Sequence, residues 1–217
     1  MENNSNNYLE PTAGSAFGFG WQKLKEHFAN LLVITIILMI AQSLGSMAGR
    51  GDNVSFSEGS LSFIIWLLIG GPVAYGSMWV FLKAVRGDDY EIKDAFACFG
   101  KNYFEIMLAN LLFTIIIMVG IVFLIVPGII FAVKLAFVPY LVLDKDMKAM
   151  DAIKASWEMT KGHGWQIFFI GLISIFIVIG GMLLLIIGIF PAVMWINTTL
   201  ASFYLAVTQN NPETESL

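Results

Sequence analysis

One cysteine and two histidines in 217 residues exclude several kinds of protein at once. Cys98 alone cannot close an intramolecular disulfide. Neither His27 nor His163 has a second His or a Cys at metal-ligand spacing. No metal site and no cofactor are therefore expected. Charge is scarce too, at 13% of residues with a net of −4. The few lysines form no phosphate-binding patch, so nucleic acid is not an expected partner. GxSxG, Walker-type and HExxH motifs are all missing. Asp88-Asp89, the one paired carboxylate of note, reads as a solvated turn, and the chain is expected to have no catalytic residue and not to be an enzyme.

What the chain does have is apolar sequence, 58% of it. That is too much to hide in a water-soluble core of this size. The apolar residues fall in six runs: Phe28 to Met47, Leu61 to Leu82, Tyr103 to Val126, Gly128 to Leu143, Trp165 to Ile187 and Ile189 to Val207. A helix of about 20 residues crosses the roughly 30 Å hydrocarbon layer. Five runs meet that length, and the fourth is read as a short span following Pro127. The expected fold is all-α, a polytopic membrane protein with six transmembrane helices.

Lysine and arginine set the orientation. Lys23, Lys25, Lys83, Arg86, Lys93, Lys101, Lys145, Lys148, Lys154 and Lys161 all fall between runs on one side, and only Arg50 falls on the other. The positive-inside rule puts the first group, and with it both termini, in the cytoplasm. The first run follows Lys23 and Lys25 and ends near Ser46-Met47-Ala48, a small-x-small pattern, but it exceeds the length of a signal-peptide core and is expected to be retained.

Residues 1–15 are polar and Asn-rich and residues 208–217 are acidic; both are expected to be loose cytoplasmic ends of a membrane domain spanning 16–207. Within that domain one unit is expected three times: an amphipathic helix, a span, a Gly/Pro reversal and a second span. At an offset of 80, Phe19-Gly20 overlies Phe99-Gly100 and Ala29-Asn30 overlies Ala109-Asn110. The amphipathic segments carry Phe17, Trp21, Leu24 and Phe28, then Ile92, Phe96, Phe99 and Tyr103, then Met150, Ile153, Trp157 and Thr160. Each set shares a helical face and is expected to lie in the cytoplasmic interface.

Six residues stand out as functional candidates. Lys134 is an ammonium inside a run, without an acid in that run, and is expected to snorkel outward or to line a polar cavity. Asn30 and Asn110 occupy matching positions and can bond across helices. Asn197 heads a polar strip with Thr198, Thr199 and Ser202 in the last run. Trp157 and Ile153, four apart on the third amphipathic segment, form an apolar face for lipid or a partner.

Pro127-Gly128-Ile129-Ile130, Phe137-Val138-Pro139-Tyr140, Asp144, Ala152-Ile153, Ser156 and Lys161-Gly162 before Trp165 form a pattern. It resembles the six-span bacterial membrane proteins related to the membrane domain of glycerophosphoryl diester phosphodiesterases. The resemblance is best from Asp94 to Gly171. It implies an integral helical module of the bacterial inner membrane. In the fused enzymes the phosphodiester chemistry belongs to a separate barrel domain, so no catalytic residue carries over onto these spans.

The expected function is that of a membrane scaffold or accessory module that binds lipid or partner membrane proteins, or assembles as a homo-oligomer. The alternative is a transporter or channel with a polar path near Lys134 and the last run. The orientation is testable in a Cys98→Ala background with a membrane-impermeant thiol reagent on intact cells. A cysteine at Ser57 is expected to react and cysteines at Asp89 or Lys148 are not; labelling of either of the latter overturns the topology.

Overall fold

The computed structural model describes residues 9–47, 62–100, 102–123, 125–183 and 187–210. Arg50, Lys101 and Ser57, used above for orientation and its test, lie outside the described residues. The described chain is all-helical, with no strand. In order come α1 (Ala13–Glu26), α2 (Phe28–Met47), a π-helical stretch Trp66–Gly70 leading into α3 (Gly71–Arg86), a 3-10 helix Ile92–Phe99, α4 (Tyr103–Phe123), α5 (Ile125–Lys134), α6 (Val138–Asp144), α7 (Ala149–Met159), α8 (Gly164–Leu183) and α9 (Ile189–Gln209).

Among the described residues, five helices are long and apolar enough to cross a membrane: Ser62–Arg86, Tyr103–Val122, Val126–Asp144, Gly164–Leu183 and Ile189–Gln209. A sixth is reached when α1 and the Phe28–Ser43 part of α2, bent 101° to each other, count as one. The bend falls at His27, whose N–H still bonds the Lys23 carbonyl. α1 begins within residues 1–15, where Thr12 caps it through the Ser15 N–H and Ala13 N–H reaches Gln166 of α8.

Proline accounts for two irregularities. Pro72 has no N–H to offer the Leu68 carbonyl four residues back. There the helix widens into the π stretch, and the Tyr103 hydroxyl of α4 donates to that carbonyl at 2.9 Å. Pro139 does the same to Leu135, and the long helix Val126–Asp144 breaks over residues 135–137. A single hydroxyl bridges the break: Ser156 Oγ of α7 donates to the Lys134 carbonyl at 2.8 Å and accepts from the Phe137 N–H at 3.2 Å.

Three helices, α3, α6 and α9, meet at the centre. Nearly all of α3 from Gly71 to Val85, of α6 from Val138 to Val142 and of α9 from Asn197 to Val207 is buried. Their ends are tied by charge. Arg86 grips Asp144 through both carboxylate oxygens, at 2.5 and 2.6 Å, and the Tyr204 hydroxyl donates to the same carboxylate at 2.8 Å. Tyr204 stacks on Tyr140 at 4.9 Å and meets Phe137 edge-on. Asp144 keeps only 5% of its side chain exposed, so the pair is shielded from solvent screening.

Around this centre, α1 packs on α9, the 3-10 helix on α3 and α7 on α6. Trp195 of α9 donates its indole N–H to the Phe17 carbonyl of α1 at 3.0 Å. The 3-10 helix lies so close to α3 that a Cβ at Gly76 would overlap the Ala95 carbonyl oxygen. Ala95 and Cys98 are the residues it buries, while Ile92, Phe96 and Phe99 remain exposed. The shared face expected for those three large residues is therefore present, but it is the outer one. α7 follows the same rule: Ala149, Ala152, Ala155, Ser156 and Met159 are buried, Met150 and Trp157 are exposed, and Ile153 is half-buried. Small side chains go inward because neighbouring backbones approach closely, as in helix packing within bilayers.

Two outcomes follow. Asp144→Asn weakens the tie while Arg86 stays half-buried, and a loss of about 3 kcal/mol is expected for removing the buried partner of such a pair. The Arg86→Met/Asp144→Leu double variant should recover much of that loss in detergent thermal denaturation, and equal damage in both would show that the charge pair is not what matters. Second, burial pushes the Cys98 thiol up to about 11. Since only the thiolate reacts, maleimide at pH 8 should label Cys98 slowly in the folded protein and fully after denaturation.

Candidate functional site

A groove of about 610 Å³ runs between α5 and α8. Its walls are Val126, Ile129, Ile130 and Val133 on one side and Trp165 and Phe168 on the other. Its floor is the turn that links α7 to α8, with Thr160, Gly162 and Gly164. Gly162 adopts φ 80°, a left-handed backbone that costs other residues strain, and so lets the chain stop α7 and restart as α8 two residues later. Val126, Ile129, Ile130 and Trp165 are all exposed, so the groove opens to the outside of the bundle.

Lys134 also lines this groove. It is the last residue of α5, and its Nζ lies 5.7 Å from the centre of the Trp157 ring on α7. Phe131, one turn earlier, packs against the same ring at 6.0 Å. The ammonium is thus turned toward α7, and the outward snorkel expected from the sequence gives way to a cation–π contact. The five ion pairs among the described residues use Lys23, Lys83, Arg86, Lys93 and Lys161. Lys134 has no carboxylate partner in that set. Ile153, one turn before Trp157, packs partly onto the buried core, so the structure brings Lys134 and Trp157 together and leaves Ile153 behind them.

The asparagines separate. Asn30 is exposed at the start of α2, whereas Asn110 is buried in α4 with its amide pressed against Gly71 and its Nδ2 without a partner among the described residues. Their matching positions in sequence therefore do not give matching environments. Asn197 donates to the Val193 carbonyl of its own helix at 2.8 Å. Thr198, Thr199 and Ser202 likewise bond carbonyls one turn back in α9 and are fully buried. The polar strip of the last helix is closed on itself.

A second cavity of about 500 Å³ lies between α3 and α4, bordered by Trp66, Tyr75, Met78, Asn110 and Phe113. The Tyr75 hydroxyl is, like the Asn110 amide, buried and without a partner among the described residues. The strip of α9 borders neither this cavity nor the Lys134 groove.

Outside the long helices, Lys83 meets Asp94 at 2.8 Å and Asp94 also accepts from the Glu91 N–H, closing the cap of the 3-10 helix. Burial works to raise the Asp94 carboxyl, but the Lys83 ammonium and the backbone N–H together hold it below the usual range. This cluster is structural: it pins the 3-10 helix to α3. No group of three or more His, Cys, Asp or Glu side chains that could hold a metal is found among the described residues.

Sequence reasoning missed Arg86, Asp144, Tyr204 and Ser156 as partners. Arg86 was read as a topological marker, and Asp144 and Ser156 only as parts of the family pattern. The one signal that Arg86 and Asp144 share is position, each at or near an apolar run's end, which does not reveal a pairing 58 residues apart.

No curated protein and no solved structure matches the chain. A family model described as a domain of unknown function (DUF7847) matches residues 95–211, from within the 3-10 helix through the end of α9. With more than half of its length covered, including the groove, Lys134 and two members of the central trio of helices, the chain belongs to the DUF7847 family.

Proposed function

We propose that this protein is a non-catalytic membrane module of the bacterial inner membrane that works through its outer surface, binding lipid and serving as a scaffold or accessory to partner membrane proteins. The observation that carries the reading is the division between a sealed interior and an apolar exterior. The strip Asn197, Thr198, Thr199 and Ser202 spends its hydrogen bonds on its own helix. Large apolar side chains, by contrast, stand exposed along α4 and α8, among them Met118, Val122, Phe176 and Leu183. A transporter needs a polar path through the bundle, and the polar residues best placed to line one are packed shut.

Three units, each an amphipathic helix and a pair of spans, fit this reading. α1, the 3-10 helix and α7 each pack on a central helix, respectively α9, α3 and α6. The central helix in each case closes the preceding unit, taken cyclically. Arg86, Asp144 and Tyr204 then come one from each unit. The three outer faces, with Trp21, Phe96 and Trp157 exposed, lie in the cytoplasmic interface under this arrangement. The resemblance to phosphodiesterase-associated membrane domains points the same way, since there too the chemistry belongs to another domain.

The test uses α7. Its buried face, with Ser156, holds it to the bundle, so Met150→Glu/Trp157→Glu, which changes only exposed side chains, is expected to keep helical content within error. The same change places two carboxylates on the face assigned to the lipid interface. Lipid retained through purification, measured by native mass spectrometry, should fall severalfold, and quenching of tryptophan fluorescence by brominated acyl chains should lose its Trp157 component. A folded double variant with unchanged lipid retention and quenching contradicts the proposed surface.

A further inference from the structure

The groove between α5 and α8 is apolar along its walls and carries a single cation at one end. From that juxtaposition we infer that it is a binding site for an anionic phospholipid, with one acyl chain lying along the groove and the headgroup phosphate held by Lys134. The inference rests on the reading above, that the module binds lipid, and adds which lipid and where.

Four features favour this occupant. The walls, Ile129, Ile130, Val133 and Phe168 among them, offer nothing but carbon to a ligand, which fits an alkyl chain. The volume of about 610 Å³ falls in the range of about 300 to 1,000 Å³ usual for small-ligand sites. Lys134 meets a tryptophan ring and no carboxylate among the described residues, so its charge is left for an external anion. The ring holds the long side chain in place without neutralising it.

Depth agrees. Lys154, Glu158 and Lys161 are exposed on and just beyond the C-terminal half of α7, beside Trp157. Such residues belong to the headgroup layer, so Lys134, in contact with that ring, lies within reach of phosphates while the groove walls extend toward the acyl chains. Trp165, 73% exposed at the groove's edge, is placed as an interfacial anchor would be. An uncharged lipid would fill the same walls but leave the ammonium without a counter-charge in a region of low dielectric.

The full chain would be purified in a neutral detergent and offered phosphatidylglycerol or diacylglycerol with identical acyl chains, the second lacking the phosphate, with bound lipid counted by native mass spectrometry. Wild type is expected to prefer phosphatidylglycerol by about tenfold, the worth of one charge-assisted contact. Lys134→Met should bring the two lipids level while keeping diacylglycerol binding, and Lys134→Arg should keep the preference. Ile130→Trp, which fills the groove, should lower both lipids together. Rising salt should erode the preference of wild type, a reading that needs no variant to fold. Inorganic phosphate at matched concentration should fail to displace phosphatidylglycerol, and displacement by phosphate alone would overturn the site as a lipid site. A preference unchanged in folded Lys134→Met would overturn the headgroup assignment while leaving lipid binding intact. Wild type that retains neither lipid would overturn both readings.

Discussion

The grip of Arg86 on Asp144, shared with the Tyr204 hydroxyl, is where the long-range order of this fold is decided. Helices surrounded by lipid gain little from hydrophobic contact with one another, because acyl chains are as apolar as leucine. Directional contacts must then select which helices meet. A guanidinium and a carboxylate facing each other with two parallel hydrogen bonds admit one relative placement of α3 and α6. Tyr204 extends that placement to α9, and its ring, stacked on Tyr140 and edge-on to Phe137, covers the pair against water. The rest follows in order: α1, the 3-10 helix and α7 each lean on one of the three helices so joined.

The same economy governs the irregular backbone. Pro72 and Pro139 each free a carbonyl in a long apolar helix, and an unsatisfied carbonyl is costly where water is scarce. Near Pro72 the remedy is the Tyr103 hydroxyl. At the break before Pro139 the Leu135 carbonyl takes the Val138 N–H, and Ser156 serves the Lys134 carbonyl that this shift leaves over. In both cases the hydroxyl comes from an element later in the chain, so a local defect becomes a point of tertiary attachment. Lys134 sits beside the second attachment, which is why its side chain meets α7.

The helical class and the number of long apolar helices were legible because run length and hydropathy are local properties that a bilayer reads one helix at a time. The stop at Gly162 was legible for the same reason, whereas the Gly/Pro reversal expected at Gly70-Gly71-Pro72 is absent, because those residues continue the single helix Ser62–Arg86. The π stretch, the break at 135–137 and the 3-10 form of Ile92–Phe99 were not legible, since each depends on a partner far along the chain. Helices stand where the amphipathic segments were expected, but which residues they bury was not legible: on α7 alanine lies inside and tryptophan outside. Of the candidate residues, Lys134 and Trp157 come together at a groove, Asn197 turns to its own helix, and Asn30 and Asn110 part company because only Asn110 meets Gly71. Pattern alone does not say which of two like residues will have a neighbour.

The serine that closes the break in the long helix Val126–Asp144 stands 22 residues after the carbonyl it serves. A nascent chain therefore delivers α5 and α6 to the membrane before the group that completes them has left the ribosome. Until Ser156 leaves the ribosome and α7 folds back, the Lys134 carbonyl and the Phe137 N–H must be served by water or by the insertion machinery. The order of synthesis thus becomes a sequence of assembly in which the long helix Val126–Asp144 is completed only on the arrival of a helix that is itself outside the set of long apolar ones.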